Sequence, residues 1–376
     1  MENLVLYRKY RPKAFAEFIG QEHIVKVLTS ALAAGRLAHA YLFCGPRGVG
    51  KTTIARILAK AASCENREKN PPHPSFVKGG SNFEPCNKCA ACQEINEGRS
   101  LDLVEIDAAS NRGIDEIREL REGIRFAPAR LKYKVFIIDE VHQLTKEAFN
   151  ALLKTLEEPP AHAIFILATT EIHKVPETII SRCQRFDFHK LPLEKIIERL
   201  AIIAKAEGVK IEKLALEMIA LNADGGMRDA ESLLGQVMAM EDKEITADEV
   251  KSLLGATDVS SAIEMIDYLI AKDAKSAIYF INKILNDGYD LEQFAKSLTS
   301  YLRKVIILKV DAGLSDLVTK ELTEEHKKNI LIQAEKLSFE DLSKMIRLFL
   351  QAQYEIKNSI LPQLPLELVV IEVSGA

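Results

Sequence analysis

No apolar run in the 376-residue sequence approaches the roughly 18 residues that a membrane-spanning helix requires. No secretion signal is expected either, because Met1 to Arg11 carries Glu, Tyr, Arg and Lys where a signal peptide has an apolar core. No membrane contact and a cytoplasmic location are therefore expected. Charge does not lean to one sign: 50 Lys plus Arg stand against 54 Asp plus Glu, a net charge of −4. Without a global positive field, contact with nucleic acid has to come from a local patch, and no basic stripe interleaved with aromatic residues is present. Six cysteines are too few for a disulfide scaffold. Internal repeats and low-complexity tracts are absent too. With 47% hydrophobic and 28% charged residues, the collagen-like, mucin-like and wholly disordered classes are excluded.

At about 150 residues per domain, the length suggests two to three domains. Up to residue 180, short β-branched runs alternate with helical patterns, the order of a parallel α/β sheet. Ala40 to Cys44, Val104 to Asp107, Val135 to Ile138 and Ile164 to Ala168 read as buried strands. Thr52 to Ala62 and Lys146 to Glu157 read as helices, the second capped by Thr145 and stopped at Pro159-Pro160. Between Pro192 and Pro362 there is no proline, and apolar residues fall at helical spacing, so the second half reads as all helix. Residues 181 to 242 hold two or three short helices, broken at Gly208 and at Gly225-Gly226. Thr246-Ala247-Asp248-Glu249 matches a capping box and opens a third unit over 243 to 376. That unit reads as a bundle of amphipathic helices at Ser260 to Ala271, Ala274 to Asn286, Leu291 to Lys309, Leu322 to Lys336 and Phe339 to Lys357, with no visible catalytic residue.

Chemistry concentrates in the first half. Gly45-Pro46-Arg47-Gly48-Val49-Gly50-Lys51-Thr52 fits GxxxxGK[ST] and lies directly after a predicted strand and directly before a predicted helix. Glycines there let backbone N–H groups turn inward around the β- and γ-phosphates, and the helix dipole adds positive potential at the same point. Lys51 supplies a charge to the β/γ oxygens and Thr52 a hydroxyl ligand for Mg²⁺, with Thr53 beside it among the nucleotide-binding residues. Val135-Phe136-Ile137-Ile138 ends in Asp139-Glu140, a Walker B pattern of two carboxylates at the carboxyl end of a central strand. Asp139 would hold the magnesium shell, and Glu140 would orient or deprotonate an attacking water. Cys86, Cys89 and Cys92 stand in CxxCxxC with Cys64 upstream, which in a reducing compartment reads as a metal site. Cys44 and Cys183 read as packed thiols, and His142 as a local hydrogen-bonding residue.

Together with Tyr10-Arg11-Pro12, Phe18-Ile19-Gly20-Gln21-Glu22-His23, Glu105-Ile106-Asp107-Ala108-Ala109-Ser110, Asp139-Glu140-Val141-His142, Leu152 to Pro160, Ala168-Thr169-Thr170 and Ser181-Arg182-Cys183, these motifs give the chain its likeness. It resembles the AAA+ ATPases and, within them, the clamp-loader family of bacterial DNA polymerase III gamma/tau subunits, over roughly residues 1 to 255. The resemblance implies an α/β P-loop NTPase domain over 1–180 with a zinc-module insertion at about 64–92. A small helical lid over 181–242 and an all-α collar over 243–376 would follow. By the same likeness Thr170, or its neighbour Thr169, is sensor 1, and Arg228 is sensor 2, reaching back from the lid to the subunit's own ATP. Arg182 is an arginine finger acting in trans on a neighbour's nucleotide, which suits a reaction that spreads charge over three phosphoryl oxygens. Tyr7, Arg11, Pro12, Phe18 and Ile19 wall the adenine and ribose.

Cys64, Cys86, Cys89 and Cys92 resemble the family's zinc module, and four thiolates at such spacing close a structural tetrahedral site. The stretch from Cys64 to Cys86 is longer than the family's usual spacing and contains Pro71-Pro72 and His73, which keeps His73 open as a substitute ligand. CxxCxxC also suits an iron–sulfur cluster, although no proline follows a fourth cysteine. Arg99 and Arg112 are candidate phosphate contacts for DNA. The implied activity is ATP hydrolysis in a ring-like pentamer with copies of the chain and with delta- and delta-prime-type subunits. ATP would favour opening of the sliding clamp, the beta subunit, and primer-template DNA would trigger hydrolysis. The family is grouped with DNA-directed DNA polymerase through its holoenzyme, but nothing here resembles a nucleotidyl-transfer site. A branch-migration helicase or remodelling ATPase would need a winged helix or pore loop, whereas 245–376 reads as a plain bundle. A nucleotide-gated assembly module without turnover is disfavoured by Lys51, Asp139, Glu140 and Arg182.

Overall fold

The computed structural model describes residues 5–66, 83–111, 113–239, 244–247, 249–250, 259–311, 313, 324–357 and 359–375. His73, Arg112 and Asp248 of the capping-box motif lie outside the described residues. The chain divides into two compact units, Met1–Ala247 and Asp248–Ala376.

In the first unit, short helix α1 (Leu6–Lys9) and α2 (Glu22–Ala33) precede strand β1 (Ala40–Cys44), which runs through the P-loop into α3 (Lys51–Ser63). Helix α4 (Ala90–Asn96), β2 (Leu103–Asp107), α5 (Ile114–Ile124), β3 (Lys134–Asp139), α6 (Lys146–Glu157), β4 (Ala163–Thr169), α7 (Glu177–Ile180) and β5 (Gln184–Asp187) follow. The strands form one parallel sheet in the order β2-β3-β4-β1-β5. β1 and β4 are buried along their whole length, so they read as continuous apolar runs rather than alternating ones. Successive side chains still point to opposite faces. Tyr41, Phe43, Ile137 and Ile166 pack on one side with α2 and α3, while Leu42, Phe136, Ile138 and Leu167 pack on the other with α5 and α6. Thr145 caps α6, its Oγ1 accepting from the Ala148 N–H at 3.3 Å.

Because every strand runs the same way, the carboxyl ends gather along one edge. Register brings Cys44 beside Thr169 and Asp107 beside Asp139 there. In open α/β sheets that edge is where ligands bind.

The sheet runs past residue 180. β5 pairs with β1 and reads Gln-Arg-Phe-Asp, with one buried residue, Phe186. An edge strand buries a single position here, so a search for apolar runs passes over it. The expectation of nothing but helix after Pro192 needs correcting as well. Beyond α8 (Leu193–Glu207), α9 (Lys213–Asn222) and α10 (Met227–Met238), the two-residue strands β6 (Lys210–Ile211) and β7 (Glu244–Ile245) pair in parallel. Two residues are too short to show any periodicity.

In the second unit, helices Val259–Ile270, Ala274–Asn286, Leu291–Val310, Glu324–Lys336 and Phe339–Ile356 enclose a core that includes Met265, Phe294, Leu298, Tyr301 and Phe349. A further helix, Leu364–Ser374, follows beyond those expected from the sequence. Its Pro365 sits in the first turn, where the missing N–H costs nothing, and its apolar residues lie all round rather than on one stripe. Among the described residues, no helix is long and apolar enough to cross a membrane.

Candidate functional site

The P-loop leaves the carboxyl end of β1 and turns into α3 through Gly45, Gly48 and Gly50, whose φ angles of 148°, 76° and 95° suit glycine. At Gly50 a Cβ would lie 2.3 Å from Cζ of Phe18, so the aromatic ring rests directly on the loop. Lys51 is buried, and its Nζ donates to the carbonyls of Gly45 and Pro46, 2.8 Å each. Burial pulls its pKa down, while the carboxylates of Glu140 and Asp139 oppose that shift. One residue on, the Thr52 hydroxyl donates to Oδ2 of Asp139 at 2.7 Å, joining α3 to the end of β3.

Glu140 follows in the left-handed region at φ 48°, which a side-chain-bearing residue rarely enters. Its Oε2 accepts from the Thr170 hydroxyl at 2.9 Å and the Thr170 N–H at 3.3 Å, with Nδ1 of His142 3.4 Å away. Thr169, fully buried at the end of β4, has its hydroxyl 3.0 Å from the same His142 nitrogen. The two threonines therefore meet the Walker B pair through Glu140 and His142.

A cavity of about 460 Å³ opens in front of these groups. Tyr7, Arg11, Pro12, Phe18 and Ile19 line it from the amino-terminal segment, Arg47, Gly48, Val49, Gly50, Lys51, Thr52 and Thr53 from the P-loop, Asp139 and Glu140 from β3, and Arg228 from α10. The Arg228 backbone N–H donates to the Gly48 carbonyl at 3.3 Å, and its guanidinium carbon stands 4.8 Å from the centre of the Tyr7 ring. Hydrogen bonding from Arg228 lowers the Tyr7 pKa. Gly45 and Pro46 contribute the carbonyls that hold Lys51 but do not line the cavity, and neither does Thr170. Arg182 is also outside it: Nη2 lies 2.6 Å from Oε1 of Glu157 and Nη1 donates to the Thr178 carbonyl at 2.8 Å. Arg99, proposed for DNA, is hydrogen-bonded to Glu97.

The lining extends beyond the site residues expected from the sequence. Glu17, Asp107, Ala109, Leu191 and Met227 are among them, and so are Arg199 of α8 and Glu231 of α10. Burial pushes the Glu231 carboxyl up to about 7, against the pull of Arg199 and Arg11. Arg199 Nε is 3.8 Å from that carboxylate, and its Nη2 donates to the Tyr10 carbonyl at 2.6 Å. The one sequence signal for Glu231 is its place three residues after Arg228, on the same helix face.

At the far end of α3, the sulfurs of Cys64, Cys86, Cys89 and Cys92 all lie within 4.8 Å of one another, with Cys86 and Cys92 3.9 Å apart. Metal–sulfur bonds of about 2.3 Å in a tetrahedron put sulfurs about 3.8 Å apart, so the four residues fit a small ion. Backbone N–H groups already point at these sulfurs: Cys86 N donates to Cys64 Sγ at 3.4 Å, and Lys88 N and Cys89 N donate to Cys86 Sγ at 3.4 and 3.2 Å. Burial opposes ionisation of Cys86, but the Lys88 and Cys89 N–H groups, together with hydrogen bonds from the Cys89 and Cys64 thiols, prevail and bring its thiol to about 6. Cys44 and Cys183 stand apart from the cluster, and burial raises them to about 11 and about 12.

The parallel sheet with its P-loop, acidic strand end and helical lid defines an AAA+ P-loop fold. Three family models match the chain in succession: DNA polymerase III, delta subunit, at residues 20–192; DNA polymerase III clamp loader subunit, ATPase lid domain, at 195–243; and DNA polymerase III subunits gamma and tau domain III, at 245–376. DNA polymerase III subunit gamma of Buchnera aphidicola subsp. Acyrthosiphon pisum is 35% identical over 376 residues, 100% of each chain. DNA polymerase III subunit tau of Bacillus subtilis is 42% identical over 373 residues, 99% of this chain and 63% of that one. The chain belongs to the gamma/tau clamp-loader family of DNA polymerase III. It spans between 46% and 63% of the length of three tau relatives that it matches. A solved Thermotoga maritima RuvB, a Holliday junction branch migration motor, covers 75% of this chain and 86% of its own at 22% identity, with a TM-score of 0.48, too slight a likeness to carry an argument.

Proposed function

We propose that this chain is the ATP-hydrolysing motor subunit of a bacterial clamp loader, with an ATPase domain whose sheet ends at β5, a helical lid and a helical collar. The observation that carries the reading is the convergence of Lys51, Thr52, Asp139, Glu140 and Arg228 on one cavity with an aromatic and apolar wall. Triphosphate oxygens would take the place of the Gly45 and Pro46 carbonyls as partners of the Lys51 ammonium, while P-loop N–H groups and the dipole of α3 hold the remaining charge. Thr52 and Asp139, already 2.7 Å apart, are the residues that would hold Mg²⁺. That ion supplies neutralisation of the charge developing between the β- and γ-phosphates.

Glu140 would orient or deprotonate the attacking water once it turns from Thr170, so Thr170 acts as a sensor by holding the carboxylate in reserve. Tyr7, Arg11, Pro12, Phe18 and Ile19 would enclose adenine and ribose. Arg228 would meet the phosphates of the same subunit. Arg182, part-exposed and outside its own cavity, suits a role on a neighbour's nucleotide, which makes the isolated chain a poor ATPase. Cys64, Cys86, Cys89 and Cys92 would hold one structural Zn²⁺. The partners are copies of the chain, delta- and delta-prime-type subunits, the beta-type sliding clamp and primer-template DNA, in the cytoplasm.

The test supplies clamp, partner subunits and primed DNA together and measures phosphate release. Turnover should rise well above that of the chain alone; a rate indifferent to all three would refute the clamp-loader reading.

A further inference from the structure

We propose that Glu84 is a positioning residue that ties the cysteine cluster to the wall of the nucleotide cavity, so that metal at the four cysteines tightens the grip on nucleotide. The inference rests on the ATP-binding reading of the cavity and adds a control on it. Glu84 stands two residues before Cys86, and its carboxylate reaches across 69 and 68 positions of sequence: Oε2 accepts from the Phe15 N–H at 2.8 Å and Oε1 from the Ala16 N–H at 2.9 Å. These two donors open the 3-10 turn Phe15–Glu17, whose own N-cap, Ala14, offers no side-chain acceptor. Turn-opening N–H groups have no partner within their helix, so a bidentate carboxylate is the group that fixes where the turn sits.

What this turn delivers is the cavity wall. Glu17, Phe18 and Ile19 line it, and Phe18 rests on Gly50 of the P-loop. The other side of the cluster is fastened to the same site: Cys64 follows the last residue of α3, and Lys60 of α3 donates to Oδ1 of both Asn87 and Asn96 at 2.6 Å. The cysteine module therefore holds α3 through Cys64 and Lys60 and the aromatic wall through Glu84. Its own helix, α4, has seven residues, too few to be stable alone, so the position of residues 84–92 depends on what the four sulfurs share. A metal ion fixes Cys86, and Cys86 fixes Glu84 two residues away.

The experiment measures three things on the full chain. The first is affinity for a fluorescent ATP analogue in the zinc-loaded protein, the zinc-stripped protein and Glu84→Ala in both states; the second is zinc content; the third is amide exchange at Phe15 and Ala16 with and without zinc. Glu84→Ala should keep its zinc yet bind nucleotide about ten-fold more weakly. Stripping zinc should weaken the unmodified protein by a similar factor and leave the affinity of Glu84→Ala unchanged. Exchange at Phe15 and Ala16 should quicken on zinc loss while the amides of β1 and β4 stay protected. Should the alanine variant fail to fold, Glu84→Gln, which keeps one acceptor oxygen, should show the intermediate loss. Wild-type affinity in Glu84→Ala, an undiminished zinc effect in that variant, or protected Phe15 and Ala16 amides after stripping would each overturn the tether. A zinc-loaded unmodified protein without nucleotide affinity would instead refute the ATP reading, and the exchange data would still judge the tether.

Discussion

Replacing Arg182 by alanine separates a trans role from a structural one. The guanidinium lies 2.6 Å from Glu157, and the two side chains are 34% and 48% exposed, so the pair is a surface ion pair. Such a pair contributes about 0.2–1 kcal/mol, and for a unit of this size its loss should move the melting temperature by less than about 4 °C. Arg182 does not line the subunit's own cavity, so nucleotide affinity of the isolated chain should not change. An arginine finger supplied to a neighbour contributes about 10³–10⁵ in rate, equivalent to roughly 4–7 kcal/mol of barrier. The effect on assembled turnover therefore exceeds the effect on stability several-fold. The assay is steady-state ATP hydrolysis by the complete loader with clamp and primed DNA, alongside analogue binding and thermal melting of the lone subunit. Glu157→Ala, which breaks the same pair while leaving the arginine in place, should melt like Arg182→Ala and keep most of the turnover. Equal losses of turnover in both variants, or an unchanged DNA-stimulated rate in Arg182→Ala, would refute the trans assignment.

Three further outcomes are expected. Lys51→Ala should abolish nucleotide binding by equilibrium titration, because it removes the buried ammonium that would meet the β/γ oxygens. Glu231, whose carboxyl is raised to about 7, binds a proton in the folded chain that the unfolded chain has released; its contribution to stability is full below about pH 4.5 and is lost as pH rises through 7. Glu231→Gln should flatten that decline in denaturant titrations across pH 5–8 and be the more stable chain at pH 8, by up to roughly 3 kcal/mol. Elemental analysis should find about one zinc per chain, and a coloured, iron-containing preparation would contradict the tetrahedral zinc assignment.

The nucleotide loop, the Walker B carboxylates and the CxxCxxC cysteines were legible because each is local. Phosphate binding needs glycines at positive φ within one turn, so Gly45, Gly48, Gly50, Lys51 and Thr52 fall within one short stretch of sequence. The buried strands were legible for a similar reason, since a strand covered on both faces has no room for polar residues. Strand β5 escaped because an edge position demands one apolar side chain, and helix Leu364–Ser374 because it is apolar all round.

Contacts across long stretches of chain were not written anywhere in the residue order. Nothing in the order says that Glu231 and Arg199 line the cavity from the lid, that Thr170 holds Glu140, or that Arg182 pairs with Glu157. Nor does it say that Glu84 caps a turn 68 positions earlier. Steric and coordination requirements act between neighbours in sequence and leave motifs there; charge pairing and burial act between neighbours in space, and folding alone brings those residues together.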